Sequence, residues 1–481
     1  MTRRSLHSLF AALALLLFNP QSMANQAMKA TSPVALDNVH LIYPDQGESS
    51  DLRCVRIEGD HITSISRPGS RRCSRDAQVH DLGGRYLLPG LIDMHAHHTL
   101  GPLEIRRQSE GPVMIALPDD EIAEHNARHL VAFGVTTIRN PGGDLEAAAR
   151  YKARLEAGDL IGPESFNAGP VLNNADMPGL ATAVQSVDEV QAAVAAQVQA
   201  GADWIKLYTG LSPELLRAGI DAAHAHDRPA VAHLEEVSWP DALAMGLDGL
   251  VHLMPISPDL LDPAGLEAWR AGARPGTFAF FEWWEHFDPD GPAADELVAA
   301  FDRHRPVFDA TLIVFHAAFV QDQDNPYKAD ARQYAHPRLL ANWEDWFTFA
   351  LGWATEDFER ARAIWPKVQR MAYRLYTSDA RMTLGTDMGN PWIAPGISLH
   401  REMQLLADAG VPNGRILAAA TVNAADALGA GQRLGRIEPG FEADLLVLDR
   451  NPLADIANTR AIHAVVLKGH YLSAQTLAET P

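Results

Sequence analysis

The chain is poor in cysteine, in aromatic residues and in positive charge. Its two cysteines are too few, and too far from other candidate ligands, to hold a metal ion by themselves. Aromatic residues make up only 7% of the 481 positions, but 47% are hydrophobic, which excludes a disordered chain and allows a large aliphatic core. Lys and Arg number 40 against 61 Asp and Glu, and the net charge of −21 argues against nucleic acid or an anionic membrane as partner.

The two cysteines leave two interpretations open. Cys54 lies in the strand-like run LRCVRIEG, and Cys73 lies in a polar turn before AQVHDLGG. In an oxidising compartment such a pair is a disulfide candidate. Two unrelated thiols are the equally weighted alternative.

Long apolar runs are also missing after the first 24 residues, so we predict no membrane span in the mature chain. Residues 1–24 have a basic start, an apolar run from Leu9 to Phe18, an Asn-Pro break and the small residues Ser22 and Ala24. This layout predicts a secretory signal cleaved after Ala24, with a run too short to span a bilayer. No cysteine follows, so we expect a periplasmic protein rather than a lipoprotein.

The two ends of the chain resemble each other and differ from the middle. Residues 33–88 and the stretch after 431 consist of short β-branched runs separated by turns. We therefore predict one small β-sandwich domain built from residues 25–88 and 431–481, around a central domain at 89–430.

The middle alternates short buried runs with alanine-rich segments of helical period. The eight strand candidates are LLPGLIDMH, GVTTIRN (134–140), ESFNAGPVL (164–172), DWIKLY (203–208), RPAVAHL (228–234), LDGLVHLM (247–254), FDATLIVFH (308–316) and RMTLGTD (381–387). Eight such β/α repeats predict a parallel (β/α)8 TIM barrel, in which functional groups lie at the C-terminal ends of the strands.

Several of these strands end in groups that bind metal ions. His95 and His97 follow the first strand with one residue between them, so both side chains leave the same face. His233, His252 and Asp387 end three later strands. Imidazole and carboxylate groups that converge at a barrel mouth are suited to a divalent cation.

Lys206 is unusual because it lies inside the apolar strand DWIKLY. A buried ammonium group without a partner is costly. Its presence becomes sensible if CO2 carboxylates the amine, which turns a cation into a carboxylate that can bridge two metal ions.

These motifs resemble the amidohydrolase superfamily of metal-dependent hydrolases, over nearly all of residues 33–473. The resemblance is carried by LLPGLIDMHAH, GADWIKLY, LGTDMG, HREMQLLADAG, AATVNAADALG and LGRIEPGFEADLLVLDRNPL, together with the strand-end histidines. The chain looks most similar to the imidazolonepropionase-related and prolidase-like branch with a binuclear centre.

The resemblance implies a role for each candidate ligand. His95, His97 and Asp387 would bind one metal ion, His233 and His252 a second, and carboxylated Lys206 would bridge them. Zinc is the default, with manganese or cobalt as substitutes. A hydroxide shared by the two ions would attack the substrate, and Asp387 would act as general base and then general acid.

Other readings stay open. His233 and Glu236 also match the H-x-x-E pattern of mononuclear deaminases in the same superfamily, in which the glutamate moves the proton. A metal-free binding protein is a more remote alternative. Tyr208 and His316 are the predicted substrate contacts, and Asp93 is a predicted supporting partner of the ligands.

The first reading of function is hydrolysis of an amide or peptide bond in a dipeptide or an N-acyl amino acid. Hydrolysis of an ester, a lactone or a cyclic amide is the alternative for the same centre. An aromatic-rich insert at residues 321–375 is a candidate lid on the catalytic face if it follows the seventh strand, with packing in a helical layer or a subunit interface as the alternative. The substrate, the metal and the choice between monomer and homo-oligomer are not fixed by the sequence.

Overall fold

The computed structural model of the protein describes residues 32–108, 111–235, 237–272, 278–345 and 348–473. The predicted signal segment 1–24 and Glu236 therefore lie outside the described residues. Within those ranges, no helix combines the length and the apolar character that crossing a bilayer requires.

Both chain ends contribute to one seven-stranded mixed sheet. Its strands are β1 Val34–Tyr43, β2 Glu48–Glu58, β3 His61–Ser66, β4 Gln78–Pro89, β17 Leu445–Leu448, β18 Ile462–Leu467 and β19 His470–Ser473. The order is β19-β18-β17-β4-β1-β2-β3, with β1 and β4 parallel and the other neighbours antiparallel. The two ends thus share a sheet, as the patterns indicated, whereas a sandwich of two sheets is not confirmed.

A disulfide bond joins Cys54 of β2 to Cys73 of the short helix α1 (Arg71–Ser74). Both cysteines are fully buried and pack against Ala35 of β1. Of the two interpretations left open by the sequence, the structure has the disulfide.

Replacing both cysteines with alanine should lower the free energy of unfolding by about 3 kcal/mol, because the crosslink restricts the unfolded chain. The cysteines are 19 residues apart in sequence, so the closed loop is of moderate length. Denaturant unfolding with and without reductant measures the effect. Reductant should not change the alanine variant, and equal stability of wild type and variant would refute the estimate.

The middle of the chain forms two parallel sheets and a hairpin. The strands are β5 Leu91–Asp93, β6 Glu104–Gln108, β7 Gly111–Ile115, β8 Val135–Asn140, β9 Glu164–Asn167, β10 Val171–Asn173, β11 Ala181–Ala183, β12 Ile205–Leu207, β13 Ala230–Ala232, β14 Gly249–Val251, β15 Val307–Asp309 and β16 Met382–Thr383. One sheet has the order β11-β10-β12-β13-β14-β15-β16 and the other β5-β8-β9, and β6 pairs with β7. Isolated parallel bridges at Ala96–Met388 and Ala168–Trp204 connect the two parallel sheets.

Helices alternate with these strands, which makes the fold mixed α/β. They are α2 Asp120–Ala132, α3 Leu145–Ala157, α4 Val187–Gln199, α5 Pro213–Ala225, α6 Trp239–Ala244, α7 Pro263–Gly272, α8 Ala279–His286, α9 Pro292–His304, α10 Leu312–Phe319, α11 Pro326–Tyr334, α12 Pro337–Asp345, α13 Thr355–Tyr376, α14 Ile397–Asp408, α15 Asn413–Ala419 and α16 Val422–Ala427, with 3-10 turns at Pro258–Leu260 and Ile456–Arg460. Ser186, Ser212 and Ser238 start three of them by accepting a backbone N–H with the side chain.

Each predicted strand of the middle contains an observed strand, but two predictions need correction. ESFNAGPVL divides into β9 and β10, which lie in different sheets. FDATLIVFH is a strand only to Asp309, and α10 begins at Leu312. The helix starts there because both oxygens of the buried Glu402 carboxylate accept backbone N–H groups, those of Leu312 at 2.9 Å and Ile313 at 2.7 Å.

The predicted insert 321–375 is largely helical and is tied to the loops beside β5. The side chain of Asn342 both accepts from the backbone N–H of Leu103 and donates to its carbonyl. Arg338 forms ion pairs with Asp119 and Glu121 at the start of α2. These contacts hold α12 against the loop that follows β5. A lid function of the insert stays a prediction.

Candidate metal centre

The predicted metal ligands gather at the C-terminal ends of the parallel strands. Ligand atoms of His95, His252 and Asp387 all lie within 4.8 Å of one another. Nε2 of His95 is 3.4 Å and Nε2 of His97 is 3.3 Å from Oδ1 of Asp387. The ring of His233 is centred 4.7 Å from that of His252, so the structure brings all four histidines and Asp387 together.

Backbone strain accompanies this arrangement. His252 and Asp387 have φ angles of +61° and +59°, a left-handed conformation that residues with side chains seldom adopt. Thr311, two residues after β15 ends at Asp309, has φ +46°. Such strain is typical of functional sites, where the turn is needed to direct a side chain.

Lys206 lies beneath this cluster in β12. Its side chain is buried, and Nζ has no hydrogen-bond partner among the described residues. Burial lowers the pKa of Lys206 to about 7, while the nearby carboxylate of Asp309 partly opposes the change. A substantial share of the amine is therefore neutral near pH 7.

The Nδ1 atoms of His95, His97 and His252 have three different hydrogen-bond partners. Nδ1 of His97 is 2.8 Å from the carbonyl oxygen of Gly142, and Nδ1 of His252 is 2.8 Å from Oγ1 of Thr311. Nδ1 of His95 is 2.7 Å from Oδ1 of Asp309. Because a carbonyl and a carboxylate accept, His95 and His97 carry the proton on Nδ1 and leave Nε2 free to bind a metal ion.

Asp309 and Arg139 are the site residues that sequence reasoning missed. Arg139 donates from Nη2 to Oδ2 of Asp309 at 2.6 Å and from Nε to the carbonyl of Met94 at 2.7 Å. Both charged side chains are completely buried. Burial raises the pKa of Asp309 to about 6, and Arg139 limits that rise. The available signal was an ionisable residue at each of two strand ends, in GVTTIRN and FDAT.

Asp93 supports the backbone rather than an imidazole ring. Its Oδ1 accepts the backbone N–H groups of His95 and Thr386, each at 3.1 Å, and its Oδ2 accepts the hydroxyl of Thr386 at 2.7 Å. The carboxylate thereby ties the first ligand strand to the strand that ends in Asp387. Burial raises the pKa of Asp93 to about 7.

The two predicted substrate contacts are placed differently. The ring of Tyr208 meets His233 edge-on at 5.1 Å, which puts it beside the metal centre. His316 lies in α10, not at a strand end, with Nδ1 at 2.6 Å from the hydroxyl of Tyr327 and its ring at 4.5 Å from that of Trp365. The preceding residue, Phe315, is the one that faces His252, at 6.3 Å between ring centres.

Three further residues lie next to candidate ligands in the sequence: His98, Glu235 and Glu236. His98, next to His97, is fully buried, and its ring makes an edge-to-face contact with that of Tyr151. Glu235 has Oε1 at 4.0 Å from Nε2 of His233. Glu236, the proton carrier of the mononuclear reading, lies outside the described residues.

The donor set fits a divalent metal ion. Burial lowers the pKa of His233 to about 3 and that of His95 far below its usual value, so the imidazoles are neutral donors. Burial opposes ionisation of Asp387, but His95 and His97 outweigh it and lower the pKa of that carboxyl. Oδ1 of Asp387 and both nitrogens of His233 are buried without hydrogen bonds in the described part of the chain. Such orphaned atoms indicate a bound group.

Part of the chain matches a known family. Residues 352–472 match the model of the amidohydrolase family. An uncharacterised protein of Mycobacterium bovis is 28% identical over 184 residues, which are 35% of this chain and 45% of that relative. The match thus spans less than half the length of the curated relative.

Solved structures extend the likeness to the whole fold. Bottromycin amidohydrolase superimposes with a TM-score of 0.71 at 22% identity, over 96% of this chain and 92% of that chain. A Xaa-Pro dipeptidase with methionine in its active site gives 0.64 at 20% identity, over 92% and 100%. The sequence resemblance to amidohydrolases is confirmed, and the structures show the shared fold.

Proposed function

We propose that the chain is an exported, metal-dependent amidohydrolase that cleaves a C–N bond in a small substrate. The observation that carries this proposal is the convergence of His95, His252 and Asp387 at the ends of separate parallel strands. The amidohydrolase-family match over residues 352–472 includes Asp387 and supports a hydrolase. As the architecture we propose a (β/α)8 barrel, which the two parallel sheets and the two bridges between them support.

The metal ligands follow from the donors present. His95, His97 and Asp387 would hold one divalent ion, most simply zinc, and His233 and His252 a second. Ions of this kind polarise a carbonyl group and make water acidic enough to act as a nucleophile near neutral pH. Manganese or cobalt would suit the same nitrogen and oxygen donors.

Lys206 would bridge the two positions as a carbamate. The neutral amine attacks the carbon of CO2, a C–N bond forms, and one proton is released. A pKa of about 7 provides the neutral amine that this addition requires. The product is an anion, which would attract the two divalent ions, whereas an ammonium group would repel them.

Asp387 is the group that we assign to proton transfer. Its pKa is lowered, so it is a carboxylate at neutral pH, and Oδ1 accepts no hydrogen bond from the described residues. It would accept the proton of the attacking water and deliver it to the leaving amine nitrogen as the C–N bond breaks.

The substrate class that we propose is a dipeptide or an N-acyl amino acid. The fold shared with a Xaa-Pro dipeptidase supports this class. Phe315, next to His252, offers an apolar surface beside the centre. The chain would be secreted through its first 24 residues and act in the periplasm, as a monomer or a homo-oligomer.

A kinetic screen tests the proposal. The mature protein, loaded with zinc or manganese, is assayed against libraries of dipeptides, N-acyl amino acids and simple esters. We expect amide hydrolysis that a chelator abolishes and that added metal restores. A preference for esters would move the assignment to the alternative reaction, and a metal-loaded protein that is inert in every library would refute it.

Replacing Tyr208 with phenylalanine should raise KM or lower kcat about 10-fold to 100-fold, because a positioned hydroxyl of this kind contributes on the order of 1.4 to 2.7 kcal/mol. Metal content should stay at the wild-type level, since Tyr208 meets His233 only through its ring edge. Steady-state kinetics with metal analysis measures both quantities. Release of metal by this substitution would contradict a role in substrate binding.

A further inference from the structure

The four histidines of the candidate centre are not equivalent. The Nδ1 partner is a carboxylate for His95, a backbone carbonyl for His97 and a hydroxyl for His252. Neither nitrogen of His233 has a hydrogen-bond partner among the described residues. Only His95 therefore donates its proton to an ionisable group, and a hydrogen bond to a carboxylate makes the opposite nitrogen a better electron donor.

Arg139 holds both the ring and the backbone of this ligand. Its Nη2 donates to the carboxylate that binds the His95 ring, and its Nε donates to the carbonyl of Met94, the residue before His95. The guanidinium carbon lies 4.9 Å from the ring centre of Trp204, whose indole supports it. Because guanidinium stays protonated, Asp309 has a permanent counter-charge in a site closed to water.

A purely structural role explains this pair poorly. Removing two charges from water costs several kcal/mol per ion, and an apolar pair of similar volume is often as stable or more stable. The side-chain hydrogen bonds of the Asp309 and Arg139 pair instead lead to one candidate metal ligand, His95. Each of its main contacts restricts His95.

We propose that Asp309 and Arg139 are positioning residues that make His95 the strongest metal-binding histidine of the centre. The ion that His95 contacts is then bound most tightly and retained longest. This inference rests on the proposed function, because it assumes that the centre binds metal. It adds a ranking of the metal ligands. It also adds two residues, Asp309 and Arg139, that would not contact the metal themselves.

Zinc affinity, measured by competition with a chromophoric chelator, tests the ranking. Asp309→Asn removes the negative charge with almost no change of volume and should weaken the tightest-bound zinc about 10-fold to 100-fold. Thr311→Val is the matched control, because it removes the neutral partner of His252 without changing the shape of the side chain. We expect a smaller loss from Thr311→Val, less than about 10-fold.

The outcomes separate this proposal from the proposed function. Wild-type zinc affinity in folded Asp309→Asn would overturn it, and so would an equal loss from Thr311→Val. In either case the enzyme assignment would stand. A wild-type protein that binds no zinc would refute both. Circular dichroism and thermal unfolding establish that each variant is folded.

A second variant decides the matter if Asp309→Asn does not fold, because that change leaves the Arg139 charge buried without its partner. Arg139→Lys keeps a positive charge near Asp309 but cannot also reach the carbonyl of Met94 with a second nitrogen in the same geometry. It should weaken zinc binding several-fold, and unchanged affinity would overturn the proposal. Where both variants fold, their effects on affinity in the double variant should fall short of the product of the single effects.

Discussion

Replacing Lys206 with alanine should abolish hydrolysis, with kcat/KM reduced by about three orders of magnitude or more, equivalent to ~4 kcal/mol of transition-state stabilisation. The reason is that the proposed bridging anion is the carbamate of Lys206, which alanine cannot form. Lys206 is buried, and its Nζ has no hydrogen bond to the described residues. Without a bridging carbamate, the second metal position would retain only His233 and His252 from the chain. Metal analysis should therefore show a loss of bound metal together with the loss of activity.

The control and the rescue make this result specific. Lys152, which pairs with Asp203 at the surface, should be replaceable by alanine without a change in metal content or rate. A small carboxylic acid such as formate or propionate could occupy the space left by the lysine side chain and should restore part of the activity. An active Lys206→Ala variant that retains its metal, beside an inactive Glu236→Gln variant, would instead establish the mononuclear reading.

The ligands were predictable because each signal is local. A histidine or aspartate directly after a short apolar run is readable from the sequence, and parallel strands bring such ends to one edge. In the structure His233 and His252 directly follow β13 and β14, whereas His95 lies two residues after β5 and Asp387 four residues after β16. The change from β4 to β5 was readable too, since β4 ends at Pro89 and Gly90 separates it from β5.

The supporting residues were not predictable, because their function depends on contacts distant in sequence. Asp309 is 214 residues from His95, and Arg139 is 170 residues from Asp309. Periodicity alone favoured a strand that continued to His316, since ATLIVF is apolar apart from Thr311. The strand stops because Glu402, which belongs to α14, accepts the first N–H groups of α10. No local sequence pattern reports these long-range hydrogen bonds.

Substitution of Asp387 with asparagine should lower kcat by about three orders of magnitude or more, because positioned acid–base groups contribute up to 10⁴-fold and this residue is also a proposed metal ligand. Asparagine keeps an oxygen in place of Oδ1, which is 3.4 Å from Nε2 of His95. It cannot accept a proton. We therefore expect kcat to fall much further than the zinc affinity, which distinguishes loss of proton transfer from loss of metal.

Asp444→Asn is the matched control for this experiment. Asp444 is as buried as Asp387, at 7% exposure each, and it accepts the backbone N–H of Lys468 next to the terminal sheet. A general cost of replacing a buried acidic side chain with its amide would appear in the stability of both variants, whereas only Asp387→Asn should lose kcat. If Asp387→Asn kept kcat within about tenfold of wild type while binding metal normally, the proton acceptor would have to be another residue. Glu235, 4.0 Å from His233, would then be the next residue to replace.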